Sequence, residues 1–211
     1  KGPSWYRPEI ARPQTTETTA LLDGNWGALA TKLERQVAAR LPGASTQDVQ
    51  SAARDSVRAL MMIRAYRTRG HLAAKLDPLG IETRPPAPEL DPATHGFGLN
   101  DLDRSIFIDG VLGLQTATVN EMLAILRRTY CETIGVEFMH ISDPGEKSWI
   151  QERIEGPDKG VAFTPEGKRS ILKKLIEGEG FEKFVHKRHP GTKRFGLDGG
   201  EAMIPAMEQV I

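Results

Sequence analysis

The amino-acid sequence predicts a mostly α-helical chain, and three observations support this class. Apolar residues recur at steps of three and four in several segments, which is the spacing of one buried helix face. Two segments begin with capping boxes, Ser45 with Asp48 and Thr118 with Glu121, in which a hydroxyl and a carboxylate satisfy free backbone amides. A stretch rich in proline and glycine separates the helices into two groups.

The distribution of proline, glycine and apolar residues predicts five segments. They are an extended or disordered arm (1–20), a helical packet (21–76), a Pro/Gly-rich connection (77–115), a second helical packet (116–190) and a glycine-rich segment with a final helix (191–211). The arm carries proline at regular intervals, which forbids helix. The final helix shows no closing turn, so we expect the sequence to be part of a longer chain.

The first packet contains two predicted helices. The first helix has its apolar positions at Leu22, Trp26, Leu29, Leu33 and Val37. The second helix follows Ser45, meets no glycine or proline before Gly70 and continues in its pattern to about Leu76. Its predicted buried face consists of Val49, Ala53, Val57, Leu60 and Met61. These apolar stripes predict a helical core.

The second packet begins with the helix after Thr118, which is predicted to end at Gly135. Its predicted buried stripe is Val119, Met122, Leu126, Tyr130 and Ile134. Residues 136–141 alternate briefly and predict a short strand or an extended piece. Asp143-Pro144 then combines an N-cap with proline at the first helical position, which predicts a helix through Ile154.

Thr164-Pro165 repeats this start and predicts a further helix. Its apolar positions are Ile171, Leu172, Leu175, Ile176, Phe181 and Phe184. We predict that Phe181 and Phe184 are core residues and that the helix breaks at Gly178 or Gly180. Asp198 with Glu201 again forms a possible capping box, which predicts the start of the final helix.

The composition excludes several classes of function. Basic and acidic residues balance at 28 each, so no net field attracts nucleic acid or an anionic membrane. No apolar run approaches the roughly 20 residues that span a bilayer. The single cysteine, Cys131, excludes a disulfide framework and favours a small buried residue over a reactive thiol. We therefore expect no nucleic-acid partner and no membrane partner.

The sequence contains no recognisable catalytic or cofactor motif. Gly96-Phe-Gly98 lacks the third glycine of a phosphate-binding loop, and no His-Glu-x-x-His pair or Gly-x-Ser-x-Gly elbow is present. His186 and His189 lie among lysines and arginines, whose charge opposes a divalent ion. We predict no catalytic, cofactor-binding or metal-ligating residue.

A basic stripe is predicted on the second helix, where Arg64, Arg67, His71 and Lys75 recur at steps of three and four. The pattern favours a solvated face or intramolecular partners for nearby acids. The alternative is a docking face for an acidic segment of a partner or of the rest of a longer chain.

Four ordered motifs carry a resemblance to a known family. Arg64–Gly80 and the segment 136–155 are similar to the helical N-terminal domain of 2-oxoglutarate dehydrogenase E1 subunits. Phe181–Phe184 and Lys193–Glu201 resemble the start of the thiamine-diphosphate domain in the same subunits. The resemblance covers roughly Leu21 to Ile211. It implies a helical N-terminal domain that ends, in residues 191–211, at the first helix of an α/β domain that binds thiamine diphosphate.

The resemblance implies a homodimeric oxidoreductase of the tricarboxylic acid cycle, dependent on thiamine diphosphate and Mg²⁺. Such subunits oxidatively decarboxylate 2-oxoglutarate and transfer the succinyl group to the lipoyl group of E2, the dihydrolipoyl succinyltransferase, in a complex with E3, the dihydrolipoyl dehydrogenase. The family's His-Arg-Gly-Arg segment and its Gly-Asp-Gly and Asn-Asn pair are absent from these residues. We therefore assign no catalytic or cofactor residue and expect the 211 residues alone to be inactive.

Phe195 is the one candidate site residue. It precedes a glycine-rich helix start, where Gly196, Gly199 and Gly200 permit close backbone approach to a ligand. The resemblance adds that the family's aromatic at this position borders the substrate pocket. Asp198 stands where many relatives carry Glu, which is a conservative change.

Two alternatives stay open. The first is an E1 subunit that acts on 2-oxoadipate; in that subgroup tyrosine tends to replace the aromatic at position 195, so Phe195 favours 2-oxoglutarate. The second is a non-catalytic helical docking module that uses the basic stripe. By the resemblance we expect a cytoplasmic protein in a bacterium, or a protein of the mitochondrial matrix in a eukaryote.

Overall fold

The structure is a computed structural model that describes residues 26–81, 83–160 and 162–210. The predicted arm and the predicted apolar position Leu22 lie outside the described residues. Contacts divide the chain at residue 160 into two compact units, which we describe separately. The predicted mostly helical class is confirmed, because the described residues form six α-helices, several short 3-10 turns and one pair of two-residue strands.

Within residues 26–81 and 83–160, the first unit contains four helices and one strand pair. In chain order they are α1 (Trp26–Arg40), α2 (Thr46–Arg69), β1 (Ile106–Phe107), β2 (Thr116–Ala117), α3 (Val119–Tyr130) and α4 (Pro144–Ile154). The strands pair antiparallel, with Ile106 opposite Ala117 and Phe107 opposite Thr116. The sequence does not indicate this pair, because two-residue strands are too short to show an alternation of apolar and polar residues.

The predicted capping boxes are present at α2 and α3. The hydroxyls of Ser45 and Thr118 accept hydrogen bonds from the backbone N–H of Asp48 and Glu121 at 3.2 and 3.1 Å. The carboxylates of Asp48 and Glu121 accept from the backbone N–H of Ser45 and Thr118 at 3.3 and 2.7 Å. The Asp143 carboxylate caps α4 without a reciprocal bond, by accepting from the backbone N–H of Gly145 and Glu146 at 2.7 and 3.1 Å. Each cap stabilises its helix by about 1 kcal/mol.

One hydrophobic core joins the first predicted packet to residues 117–154 of the second. Its largest fully buried apolar side chains are Leu29, Leu33, Leu60, Met62, Ile63, Tyr66, Ile108, Val119, Met122, Leu126 and Tyr130. The proline-rich connection folds onto the same core through Leu90 and Phe97. Tyr66 ties the connection to α2, since its hydroxyl donates to the Leu90 carbonyl at 2.9 Å. The connection therefore lies within the first unit.

The end of α3 differs from the prediction. The helix stops at Tyr130 and not at Gly135, because Cys131 leaves helical geometry while its N–H still bonds to the Arg127 carbonyl at 2.9 Å. Ile134 consequently lies outside the helix, and its side chain is exposed instead of buried. The predicted buried stripe is correct for the residues from Val119 to Tyr130 that the helix contains.

Two further differences concern α2. The helix ends at Arg69, and a 3-10 turn at Gly70–Ala73 replaces its predicted continuation to Leu76. Met61 is exposed although it is predicted on the buried face, because Leu60 and Met62 supply that face. Of the two alternatives predicted for residues 136–141, the strand does not form, and residues 136–138 have no regular secondary structure.

The second unit contains α5 (Pro165–Arg188) and α6 (Met203–Val210). The predicted break at Gly178 or Gly180 is wrong, because α5 is continuous. Phe181 and Phe184 are exposed, and α5 has no buried residue within the described part of this unit. Helix α6 begins at Met203, later than the predicted Asp198 start, because residues 197–202 form turns. Helix α5 starts as predicted, with its Thr164 hydroxyl accepting from Gly167 N–H at 3.1 Å.

Candidate functional site

Phe195 lies in the loop between α5 and α6, and its ring is exposed. It has 87% of its surface accessible within the described residues. The Lys193 ammonium lies 5.3 Å from the ring centroid, which is within the range of a cation–π interaction. The ring is therefore free to contact a further group on its open side.

The Glu182 carboxylate helps to hold the segment that carries Phe195 to α5. Its Oε1 accepts a hydrogen bond from the Leu197 N–H at 2.8 Å. Its Oε2 lies 3.0 Å from the position that a Cβ on Gly196 would occupy, so a larger residue there would require the Glu182 side chain to shift. Glu182 was not predicted, because no local pattern distinguishes it from the other glutamates of α5.

Arg194 forms hydrogen bonds with both histidine residues near this loop. Arg194 donates to the His189 carbonyl at 3.0 Å, and its second nitrogen lies 2.5 Å from His186 Nδ1. Among the residues that the structure describes, no group of three or more His, Cys, Asp or Glu side chains could hold a metal ion. The loop therefore offers an aromatic contact surface and no described nucleophile or acid–base pair.

The basic stripe is not a single exposed face, because Arg67 is buried in the first unit. Its Nε and Nη2 donate to Oε1 and Oε2 of Glu155 at 2.7 and 2.6 Å. The Tyr130 hydroxyl donates to Glu155 Oε1 at 2.5 Å. The docking interpretation is wrong for Arg67, and intramolecular pairing is confirmed for it. His71 and Lys75 also face acids, at 3.6 Å from Glu137 and 4.0 Å from Glu132.

Burial and charge determine the protonation of this cluster. Burial alone would lower the pKa of Arg67, but the charge of Glu155 and the hydrogen bonds to it raise that pKa. Burial, followed by the negative charge of Glu155, raises the pKa of Tyr130. Arg67 stays cationic and Tyr130 stays a hydrogen-bond donor at neutral pH, so the cluster joins the ends of α2, α3 and α4.

A cavity of about 610 Å³ opens beside this cluster in the first unit. Its lining residues are Tyr66, Ala73, Lys75, Ala87, Leu90, Asp91, Pro92, Arg127, Cys131 and Glu132. The two cations and two anions of the lining balance, so the cavity has no net charge that would select an ionic ligand.

Cys131, in the wall of this cavity, is expected to be a slow nucleophile. Burial raises the pKa of its thiol, which leaves little thiolate at pH 8. We expect the folded chain to react with iodoacetamide at pH 8 at least roughly 10-fold more slowly than the urea-unfolded chain. Mass spectrometry of the alkylated peptide measures both rates. Equal rates in the two states would show that the thiol is freely reactive.

No described helix is long and apolar enough to cross a membrane. The described residues also do not fit thiamine diphosphate with Mg²⁺, because they present no cluster of metal ligands and the sequence has no phosphate-binding motif. No cofactor residue is assigned to the chain on this ground.

Comparison with known proteins finds relatives that share one name. No family model matches the chain. The 2-oxoglutarate dehydrogenase E1 component of Brucella canis is 57% identical over 226 residues, and those of Brucella suis and Brucella abortus are 58% identical over 223 residues. Each match covers 100% of this chain and 22% of the relative, so the chain spans about a fifth of the length of these proteins. The chain is therefore homologous, over its whole length, to the N-terminal part of 2-oxoglutarate dehydrogenase E1 components.

Proposed function

We propose that the complete polypeptide is the E1 subunit of a 2-oxoglutarate dehydrogenase complex. In this proposal it oxidatively decarboxylates 2-oxoglutarate in the tricarboxylic acid cycle and transfers the succinyl group to the lipoyl group of E2. The observation that carries the proposal is an identity of 57% to 58% along the entire chain. The four ordered motifs and the helical fold agree with it.

The cofactors and partners follow from the same proposal. Thiamine diphosphate and Mg²⁺ are bound by residues outside this chain, since the described residues offer no ligand cluster. The complete subunit forms a homodimer and works with E2, the dihydrolipoyl succinyltransferase, and E3, the dihydrolipoyl dehydrogenase. It acts in the cytoplasm of a bacterium or in the mitochondrial matrix of a eukaryote.

Within the subunit, the first unit is a packing scaffold and the second unit leads to the active site. The buried pairing of Arg67 supports the scaffold role and argues against the docking-module alternative, because it removes one cation from the basic stripe. Phe195 borders the substrate pocket, which its exposed ring and its anchored loop permit.

Phe195→Tyr tests this placement and the choice between the two substrates. In the complete protein, we expect the wild type to decarboxylate 2-oxoglutarate in preference to 2-oxoadipate. The added hydroxyl can bond the longer acid, and one such bond is worth roughly 1 kcal/mol. The ratio of kcat/KM for 2-oxoadipate to that for 2-oxoglutarate should therefore rise by about 5- to 10-fold. Decarboxylation is measured with ferricyanide as the electron acceptor.

Phe163→Tyr is the matched control, because Phe163 is another exposed phenylalanine of the second unit. It should leave the ratio unchanged. An unchanged ratio in Phe195→Tyr would remove Phe195 from the pocket border, and a wild-type protein inactive toward both acids would overturn the proposed function.

A further inference from the structure

Four exposed apolar side chains of the first unit lie in two chain segments that meet at Leu76. They are Leu76, Leu79, Ile81 and Ile134, and we call them together the Leu79 surface. Leu79 and Ile81 have 79% and 78% of their surfaces accessible. Leu76 connects the two chain segments, because its Cδ1 lies 3.2 Å from the Cβ position of Gly135, next to Ile134. Clustered exposed apolar side chains of this kind mark interaction sites.

The backbone holds Leu79 outward in a tight turn. The Asp77 carboxylate accepts a hydrogen bond from the Leu79 N–H at 2.9 Å. The Gly80 N–H closes the turn on the Asp77 carbonyl at 3.3 Å, and Pro78 fixes φ between them. The backbone that carries Leu79 is therefore ordered before docking, which lowers the entropy cost of docking.

The charges around the Leu79 surface are paired within the unit. Lys75 faces Glu132 at 4.0 Å, and the Lys75 N–H donates to the Glu132 carbonyl at 2.7 Å. His71 faces Glu137 at 3.6 Å. Since the Lys75 ammonium and the Glu132 carboxylate neutralise each other, this pair adds no net charge that would select an acidic or a basic partner. The exposed apolar side chains favour an apolar partner surface.

The size of the Leu79 surface decides between a tethered partner and a second copy. A stable interface between separate proteins uses roughly 20–30 residues a side, and four side chains fall far below that number. A partner in the same polypeptide needs no such area, because tethering raises its effective concentration to the millimolar range. The E1 relatives are long enough to contain such a tethered partner, since this chain spans only 22% of their length.

We propose that the Leu79 surface docks against the part of the same subunit that lies beyond residue 211, so that the first unit is fixed to the catalytic region through the turn that carries Leu79. The proposal rests on the proposed function, which supplies that region. The first unit closes its own core without these residues, so their exposure has no role within the unit.

Photocrosslinking of the complete purified protein tests the proposal. Leu79 is replaced by p-benzoyl-L-phenylalanine, and in a control protein Leu99, whose side chain is 88% exposed elsewhere on the first unit, is replaced in the same way. We expect position 79 to form an adduct within one subunit, to a peptide beyond residue 211, and position 99 to form none. An adduct to a second copy, an adduct within residues 26–210 or no adduct at position 79 would overturn the proposal.

Hydroxyl-radical footprinting of the unmodified complete protein gives a second readout that needs no substitution. We expect Leu79 and Ile81 to be oxidised at least roughly fivefold more slowly than Leu99. Equal oxidation would overturn the docking proposal. Decarboxylation of 2-oxoglutarate is assayed in the same preparation: activity without protection contradicts the docking alone, and protection without activity contradicts the proposed function alone.

Discussion

Arg67→Met is expected to lower the free energy of unfolding of the first unit by about 3–5 kcal/mol. The substitution leaves the Glu155 carboxylate buried without its cationic partner, and Arg67 itself is only 3% exposed. Both hydrogen bonds of the guanidinium, at 2.7 and 2.6 Å, are lost together. Urea unfolding followed by tryptophan fluorescence measures the effect, because all three tryptophans precede residue 160.

Arg69→Met is the matched control. Arg69 also lies on α2 and also pairs with a glutamate, at 2.7 Å from Glu89, but both side chains are about half exposed. Exposed pairs contribute roughly 0–1 kcal/mol, so the control should lose little. The double variant Arg67→Met with Glu155→Gln should recover a large part of the stability, because it removes the unpaired charge and leaves an acceptor for Tyr130. Equal losses in the free energy of unfolding for Arg67→Met and Arg69→Met would contradict the claim that burial makes Arg67 the more important of the two.

Gly70→Ala is expected to destabilise the first unit, although the same change usually stabilises a helix. The backbone of Gly70 is in the right-handed helical region, so alanine meets no conformational penalty there. A Cβ at this position would lie 2.5 Å from Cβ of Tyr130, which α3 holds in the core. The two helices must separate, at a cost of about 1–3 kcal/mol or more. Urea unfolding followed by far-UV circular dichroism measures this loss.

Gly180→Ala is a control variant with the opposite expected effect on stability. Gly180 lies inside α5 with nothing within 4 Å of its Cβ position, so alanine should stabilise that helix by about 0.5–1 kcal/mol. If both variants change stability in the same direction, the close approach of Gly70 to Tyr130 does not limit the packing.

Local sequence rules predict the helix starts well in this chain. Ser45 and Thr118 begin helices where their hydroxyls and the acids three residues later indicate. The periodic residues of α1 and α3, such as Leu33 and Leu126, are buried because the apolar face of each helix packs against the core of the first unit. These features depend on neighbours in the sequence, and the sequence shows them directly.

Such rules do not predict contacts between residues that are distant in the sequence. Arg67 and Glu155 are 88 residues apart, so the helical spacing that placed Arg67 on a basic stripe carries no information about its acid. The candidate site shows the same limit, because Glu182 anchors the Phe195 loop through a contact that no local pattern indicates. The apolar spacing of Phe181 and Phe184 indicates a face that can be buried, but not which segment covers it.

Calorimetric titration with thiamine diphosphate in the presence of Mg²⁺ tests the central claim most directly. The claim is that these 211 residues form the helical part of an E1 subunit whose cofactor site lies elsewhere in the polypeptide. We predict that the complete protein binds the cofactor and that the 211-residue chain gives no binding heat. Micromolar binding by the 211-residue chain, or no binding by the complete protein, would contradict the claim.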